Sequence, residues 1–491
     1  MDTITAAPID REALLSRLHA LLPDGSVLHT DEAQRPYECD GLTLFRQLPL
    51  ATVLPSTEAE LLAVVQVCRE ASVPIVPRGA GTGLSGGATP HAQGVLLSTA
   101  KMSRILSIDP LARTARVQPG VRNLAISEAA ARHGLYYAPD PSSQIACSIG
   151  GNVAENSGGV HCLKYGVTSN HVLSLEVVLP DGTVTTLGSG LGESPELDLR
   201  GVFIGSEGTL GIATAITLRL LRAPKCVAVL LADFASMEAA GEAVRRVTSA
   251  GVLPAGMEMM DTLCIEAVND YLGVEEYPRD AAAVLLIEID GGQREVEASV
   301  EIASRLCREA GARTVRQAWE EEERARLWKG RKSAISALGR RFPSYYLQDG
   351  VVPRHALPEV LRQIQALSDS HGLPVANVFH AGDGNLHPLI LYRASDPGVG
   401  ERVQDLGAAI LRLCIDAGGS ITGEHGVGSD KRCYMEWMFT PDDLATMQRV
   451  RAAFDPAGLA NPGKLFPTPA GCAESAKRKA VLPAAAGLEV F

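Results

Sequence analysis

RGAGTGLSGG, residues 78–87, is the stretch that decides the fold of this chain. Five glycines within its last nine residues let the backbone turn sharply and approach a ligand closely, with N–H groups pointing inward. Such a concave loop suits a pyrophosphate group. The apolar run from Val73 to Pro77 leads directly into it, which favours a rigidly mounted loop over the alternative, a flexible surface loop.

Gly79, Gly81 and Gly83 alternate with other residues, a spacing that suggests a Rossmann-type dinucleotide-binding fingerprint. That fingerprint requires a helix that begins directly after the glycines. Here the loop continues into Ala88-Thr89-Pro90-His91 and then into the short apolar stretch 94–98. We therefore predict a phosphate-binding loop that is built from backbone, without a following helix N-terminus.

Two further clusters combine glycine with small polar residues. One runs from Pro139 to Gly159 and the other, GSEGTLGI, occupies residues 205–212. Each cluster alone is equally typical of turns. Three such clusters in one domain indicate an extended polar ligand such as a dinucleotide.

The bulk composition excludes several classes of function. A chain of 491 residues is long enough for two or three domains, and a net charge of −12 makes nucleic acid and anionic membranes unsuitable partners. The first five residues do not resemble a signal peptide, and apolar runs such as 281–287 are too short to cross a bilayer. We expect a cytoplasmic protein.

The ten cysteines form no CxxC pair, which excludes the usual iron–sulfur and zinc-finger spacings. Most are expected to be small buried hydrophobic residues. If the protein takes electrons from a substrate, it must therefore transfer them to another protein.

Secondary-structure signals indicate two units. Thr57 and Glu60 form a capping box ahead of an apolar helix, and residues 212–220 alternate like a strand. The predicted helices cover about 8–22, 57–72, 122–133, 236–250 and 294–311, and the predicted strands cover 115–118, 212–220, 227–231 and 283–289. The last two strand–helix pairs favour an antiparallel sheet backed by helices, an α+β arrangement. Residues 467–491 resemble a weakly ordered tail.

A candidate metal site lies in the C-terminal half. His380 and His387 are seven positions apart and cannot share one helix face, but a hairpin that closes at Gly382-Asp383-Gly384 could bring both rings together. With Glu424 they form a set suited to zinc or manganese. The alternative is a pair of structural histidines. His425, next to Glu424, is then available as a general base.

Two further positions are candidates for ligand contact. Arg331 offers a guanidinium group for a substrate carboxylate, although it could equally be a solvated surface residue. Asn461 begins an Asn-Pro-Gly-Lys turn that could reach a cofactor.

Together these motifs resemble the FAD-dependent D-2-hydroxy acid dehydrogenases with a flavin domain of the PCMH or vanillyl-alcohol-oxidase type. The resemblance covers about residues 25–466, and the strings at 36–41, 139–165 and 379–391 are most similar to the D subunits of bacterial glycolate oxidases. It implies an α+β chain with an N-terminal helical segment (1–47), a two-part FAD-binding domain (48–225), a C-terminal substrate (cap) domain with an antiparallel sheet (226–466) and a tail (467–491).

The resemblance also implies the ligand contacts. His380, His387 and Glu424 would bind a divalent metal, His425 would be the base, and Arg331 would bind the carboxylate. The implied FAD contacts are Pro77, Arg78, Gly79, Ala80, Gly81, Thr82, Gly83, Leu84, Ser85, Gly86, Pro141, Ser142, Ser143, Gly150, Gly151, Asn152, Asn156, Ser157, Gly158, Gly159, Gly205, Glu207, Gly208, Ile212 and Asn461.

Two departures from the family pattern bear on how the flavin is attached and on the size of the substrate. The glycine loop lacks the histidine that carries covalent flavin in some relatives, so we expect non-covalent FAD. Relatives that act on longer dicarboxylic acids carry polar side chains where this chain has Leu347 and Leu389. Their absence here predicts a small monocarboxylic substrate, glycolate or D-lactate.

The resemblance implies oxidation of that 2-hydroxy acid to its 2-oxo acid within a glycolate oxidase complex. A second flavin-type subunit and an iron–sulfur subunit would take the electrons, and any contact with the inner membrane would be through them. The alternatives are a stand-alone FAD-dependent D-lactate dehydrogenase, a non-catalytic flavin-binding scaffold subunit, and a metal-binding protein without flavin.

Overall fold

The computed structural model describes residues 9–190, 197–468 and 472. The helices are α1 (Arg11–Leu21), α2 (Asp31–Gln34), α3 (Glu58–Glu70), α4 (Asn123–Ala130), α5 (Ile149–Glu155), α6 (Cys162–Tyr165), α7 (Leu199–Phe203), α8 (Met237–Ser249), α9 (Thr262–Leu272), α10 (Gln293–Glu309), α11 (Glu321–Arg341), α12 (Leu357–His371), α13 (Val399–Asp416) and α14 (Pro441–Phe454). Most of the predicted tail, 467–491, lies outside the described residues.

The strands of the first half are β1 (Val27–Leu28), β2 (Ala51–Val53), β3 (Ile75–Arg78), β4 (Val95–Ser98), β5 (Ile105–Asp109), β6 (Thr114–Val117), β7 (Leu135–Tyr136), β8 (Val172–Val178), β9 (Val184–Gly188), β10 (Ile212–Arg219) and β11 (Leu221–Arg222). Those of the second half are β12 (Cys226–Phe234), β13 (Gly256–Asp261), β14 (Ala283–Gly291), β15 (Ala312–Ala318), β16 (Ser344–Leu347), β17 (Gly350–Val351), β18 (Val375–His380), β19 (Asn385–Leu386) and β20 (Pro388–Tyr392).

The chain forms two compact units, and each is built from more than one segment. Of the described residues, the first unit contains those within Met1–Ser157, Val167–Arg222 and His425–Pro467. The second unit contains those within Gly158–Gly166 and Ala223–Glu424, together with the few described from Thr468 onward. The predicted domain ranges are contiguous, whereas the chain passes between the units several times.

The described part of the first unit contains two larger sheets and a two-stranded sheet of β7 and β11. In the order β1-β2-β4-β3, strands β2, β4 and β3 run parallel, and β4 is buried along its whole length. The antiparallel sheet β5-β6-β10-β8-β9 packs against α4 and α5 around a separate apolar core. This two-part arrangement agrees with the flavin domain that the resemblance implies.

The start of α3 shows how local sequence places these elements. Thr57 caps the helix by accepting a hydrogen bond from the Glu60 N–H, as the capping box predicts. The Glu60 carboxylate, however, accepts from the backbone N–H and the hydroxyl of Ser56 rather than from Thr57. Leu61, Val64 and Cys68 on the inner face are fully buried against the parallel sheet.

The glycine loop connects β3 to β4 without an intervening helix, as predicted from its sequence. Gly81 and Gly86 have φ angles of +72° and +77°, which side chains disfavour. The loop therefore needs glycine at these two positions for its own conformation, before any ligand is considered.

The second unit is built around a nine-stranded sheet whose main order is β15-β12-β14-β13-β18-β19-β17, with antiparallel pairing throughout. Strand β20 pairs with both β18 and β16. The predicted strands at 227–231 and 283–289 lie within β12 and β14, and the predicted helices within 236–250 and 294–311 are α8 and α10. The predicted α+β class is confirmed. None of the described helices is long and apolar enough to cross a membrane.

Candidate active site

The glycine loop of the first unit is held by the segment that precedes β2. The Arg78 guanidinium donates to the Cys39 carbonyl at 2.7 Å and lies 5.7 Å from the centre of the Tyr37 ring. The Asp40 carboxylate accepts from the Ala88 N–H, and burial raises the pKa of Asp40 to about 6. These contacts hold the loop in one position, which disfavours the alternative of a flexible surface loop.

The inner surface of the loop has hydrogen-bonding capacity that the protein does not use. In the part of the chain that the structure describes, the backbone N–H groups from Ala80 to Gly87 donate to no other residue. Several buried side-chain atoms of this unit likewise lack a hydrogen-bond partner there: Ser85 Oγ, Thr89 Oγ1, Asn152 Nδ2, Ser206 Oγ and Asn461 Oδ1. Because buried polar groups normally have partners, these groups fit a large polar ligand such as FAD.

The three glycine clusters converge within this unit. A Cβ atom at Gly79 would collide with the Ser148 hydroxyl, which caps α5, and a Cβ atom at Gly208 would collide with Pro77. Backbone bonds from Gly205 and Glu207 to the carbonyls at the end of α5 join the third cluster to the second. Members of all three glycine clusters therefore meet in the first unit, whereas Gly158 and Gly159 of the predicted contact residues belong to the second unit.

The C-terminal segment reaches the same loop. The Asn461 amide donates to the carbonyls of Gly87 (3.0 Å) and Glu207 (2.6 Å). Lys464 donates to the Thr89 carbonyl at 2.8 Å, and burial lowers its pKa to about 8. This contact of Lys464 was not predicted from the sequence, although a lysine at the end of a turn of small residues is a recognisable sequence signal.

The Glu207 carboxylate points away from free solvent and holds the loop after His425. It accepts hydrogen bonds from the N–H groups of Val427 and Gly428, both at 2.7 Å, and is 4% exposed. Burial raises the pKa of Glu207, although the two backbone bonds act in the opposite direction. The side chain of this predicted flavin contact is thus engaged in positioning backbone.

An apolar pocket lies beside these clusters, between the two larger sheets of the first unit. Its cavity volume is only about 30 Å³, and its lining includes Pro77, Gly208, Ile212 and Ala460.

In the second unit, the predicted hairpin brings the two histidines together. His380 ends β18 and pairs with Asn385 of β19 across a turn in which Gly384 has a φ of +81°. The ring centres of His380 and His387 are 5.0 Å apart. Glu424 Oε1 lies 3.1 Å from His380 Nε2 and 3.4 Å from His387 Nε2.

These three side chains could hold a divalent ion. One ligand atom from each lies within 4.8 Å of the others, and both histidines are buried. Burial alone would lower the pKa of His380, but the charges of Glu258 and Glu424 outweigh it and raise that pKa well above its usual value. The acidic groups around His380 therefore stabilise positive charge at this point.

Two acidic residues of this cluster were missed by sequence reasoning. Asp349, fully buried, accepts from the Thr422 hydroxyl at 2.6 Å and from the Gly423 N–H at 3.0 Å, and so holds the backbone before Glu424. Glu258 on β13, also fully buried, lies 2.6 Å from His380 Nδ1. The sequence signal for Glu258 was an acidic residue among the methionines of β13.

Arg331, on α11, is 4% exposed rather than a solvated surface residue. Its Nη2 lies 2.5 Å from Glu258 Oε2, whereas its Nε has no hydrogen-bond partner among the described residues. The structure thus places Arg331 and His380 on the two oxygens of one carboxylate. His425 follows Glu424 in the chain and belongs to the first unit.

The two leucines that replace polar residues of other relatives are direct cross-strand neighbours. Leu347 on β16 pairs with Leu389 on β20, which in turn pairs with Ala376 on β18. Both leucines are buried and lie on the same sheet face as His380, because alternate residues of β18 share a face. They form one apolar surface beside the histidine pair.

Comparison with known proteins agrees with this geometry. Family models match for an FAD binding domain (residues 49–188) and for the C-terminal domain of FAD linked oxidases (residues 223–465). The glycolate oxidase subunit GlcD of Escherichia coli is 53% identical over 466 residues, covering 95% of this chain and 93% of that protein. D-lactate dehydrogenase of Anaerostipes hadrus is 33% identical over 450 residues, covering 89% and 94%.

A solved structure of p-cresol methylhydroxylase matches with a TM-score of 0.77 at 18% identity, and covers 92% of this chain and 96% of that one. At that identity the match shows the fold alone. The fold that the family resemblance implies, a flavoprotein fold of the vanillyl-alcohol-oxidase type, is confirmed.

Proposed function

The chain belongs to the FAD-linked oxidases of the glycolate oxidase GlcD type, and from this premise we propose that it oxidises glycolate to glyoxylate with non-covalent FAD. The observation that carries the proposal is the buried cluster of His380, His387 and Glu424 beside a buried arginine. A flavin-binding unit accompanied by such a cluster can both bind a hydroxy acid and remove its electrons.

Each residue then has a defined task. Arg331 binds the substrate carboxylate, and its unpartnered Nε–H is available for that bond. His425 accepts the hydroxyl proton while the C2–H bond breaks with its electron pair. His380, His387 and Glu424 would hold zinc or manganese, which when bound polarises the substrate oxygens. When bound, FAD supplies the two-electron acceptor for the hydride.

The apolar surface of Leu347 and Leu389 favours a small substrate without a second carboxylate. It accommodates D-lactate as readily as glycolate, so a stand-alone D-lactate dehydrogenase is the second candidate. A panel of glycolate, D-lactate, L-lactate and D-2-hydroxyglutarate with an artificial electron dye decides between them. We expect glycolate or D-lactate to bleach the flavin, and preferential bleaching by 2-hydroxyglutarate would contradict the role of the leucines.

The reduced flavin must pass its electrons onward, and the sequence contains no CxxC motif for a cluster of its own. We expect a second flavin-type subunit and an iron–sulfur subunit as partners, with any membrane contact through them. Purification from native cells should recover both in stoichiometric amounts. Rapid hydrogen peroxide production by the isolated chain would contradict the need for partners.

A further inference from the structure

We propose that Glu258 is a positioning residue that sets both the metal-binding nitrogen of His380 and the place of Arg331. This inference rests on the proposed function and assigns a role to a residue outside the ligand set. Glu258 itself contacts neither substrate nor flavin in this scheme.

The position of Glu258 in the sheet makes such a role geometrically natural. On β13 it lies directly opposite His380 of β18, so the two side chains point to the same face of the sheet. Its strand neighbours Met257, Met259 and Met260 are fully buried. An ionised carboxylate in such surroundings is stable only when it is paired; here one oxygen is hydrogen-bonded to His380 and the other forms an ion pair with Arg331.

The first oxygen determines which nitrogen of His380 is available to a metal. Glu258 Oε1 lies 2.6 Å from Nδ1, so Nδ1 carries the proton and donates it to the carboxylate. Nε2 is on the opposite side of the ring and lies 3.1 Å from Glu424, so Nε2 is the nitrogen that would coordinate a metal. A carboxylate behind a histidine ligand also fixes the ring and raises its basicity.

The second oxygen determines where the guanidinium group of Arg331 lies. Oε2 is 2.5 Å from Nη2 of Arg331, whose side chain is only 4% exposed. Among the described residues, Glu258 is the acidic residue with which Arg331 forms an ion pair, so its loss would leave this buried cation without that counter-charge. One carboxylate therefore sets the distance between the group that binds the substrate carboxylate and the nitrogen that binds the metal.

The test compares Glu258→Gln with the matched control Glu288→Gln. Glu288 lies on the adjacent strand β14, opposite Gly256, and shares the same sheet face. Its carboxylate is also largely buried and bonds His161 (2.9 Å) and Trp328 (2.5 Å), neither of which is in the proposed site. The control thus removes a similar carboxylate from the same face.

The measurement is Mn²⁺ binding to FAD-loaded protein that has been stripped with a chelator, together with kcat and KM. For Glu258→Gln we expect roughly 10- to 100-fold weaker Mn²⁺ binding, while Glu288→Gln should stay near wild type. KM for the hydroxy acid should rise as well, because Arg331 loses its anchor, and the flavin content should not change. Unchanged Mn²⁺ affinity and KM would overturn the proposal.

If Glu258→Gln does not fold, Glu258→Asp tests the same role. It keeps the charge but withdraws the carboxylate by one methylene from Nδ1 and Nη2. Weaker Mn²⁺ binding with retained FAD supports the role, and wild-type binding overturns it.

The same data separate this inference from the proposed function. If wild-type protein binds no Mn²⁺ yet its flavin bleaches with glycolate, the role of Glu258 is overturned and the oxidation stands. If Mn²⁺ binds and depends on Glu258 but no 2-hydroxy acid bleaches the flavin, the proposed function fails and the positioning role stands.

Discussion

Gly83 lies at a point of the glycine loop where the protein itself leaves room for a side chain. A Cβ atom there would come no closer than 3.9 Å to any other residue, and the backbone is outside the left-handed region. At Gly81, by contrast, the φ of +72° and the guanidinium of Arg78 both oppose a side chain. Gly83→Ala therefore tests the ligand rather than the fold.

The expected magnitude follows from the free N–H groups of the loop. If the phosphates of FAD approach this backbone, the added methyl group displaces them and breaks at least one charge-assisted hydrogen bond. Such a bond contributes about 1.5–3 kcal/mol, which corresponds to roughly a 10- to 150-fold increase in Kd. Replacing glycine should at the same time stabilise the protein by about 0.4–1 kcal/mol, since the unfolded chain loses freedom.

The assay is titration of the FAD-free variant with FAD, followed by flavin fluorescence, with calorimetric unfolding of the same sample. Gly190→Ala is the matched control, because it also has open space and no positive φ but lies outside the glycine clusters. A Gly83→Ala variant that binds FAD as tightly as Gly190→Ala would refute the assignment of this loop to the pyrophosphate.

Three further predictions concern proton transfer and buried charge. His425→Asn should retain metal and flavin but lose about 10²- to 10⁴-fold in the rate of flavin reduction, and bleaching at the wild-type rate would exclude it as the base. Glu207→Gln should lower kcat more than it raises KM, because an amide accepts from only one of the two N–H groups that follow His425, and equal loss in both parameters would argue against a positioning role. The folded-state pKa of Asp40, about 6, is above its usual 3.8, so its contribution to stability is complete below pH 4 and is lost as the pH rises through 6. Calorimetry of the FAD-free protein should show this loss, up to about 3 kcal/mol, and Asp40→Asn should abolish it.

Local patterns predicted the parts of the structure that depend on backbone conformation. The residues that follow the glycine loop predicted that no helix begins there, and the turn between His380 and His387 predicted the hairpin, because both follow from what neighbouring residues permit. The environment of Arg331 could not be predicted in this way. Whether a lysine- and arginine-rich helix turns one cation inward depends on a carboxylate more than seventy positions earlier in the chain, and only the tertiary fold brings Glu258 and Arg331 together.

The peptide that joins Glu424 to His425 shows why such partners leave little trace in a sequence. Within the second unit, Asp349 accepts hydrogen bonds from the Thr422 hydroxyl and the Gly423 N–H, just before Glu424. Within the first unit, Glu207 accepts from the backbone N–H groups of Val427 and Gly428, just after His425. Three of these four donors are backbone N–H groups, which every residue except proline has, so the side chains of residues 422–428 do not reveal the two carboxylates. Asp349 nevertheless positions the proposed metal ligand Glu424, and Glu207 positions the proposed base His425. Loss of Asp349 should therefore weaken metal binding first, and loss of Glu207 should slow proton transfer first, although the residues they serve are adjacent in the chain.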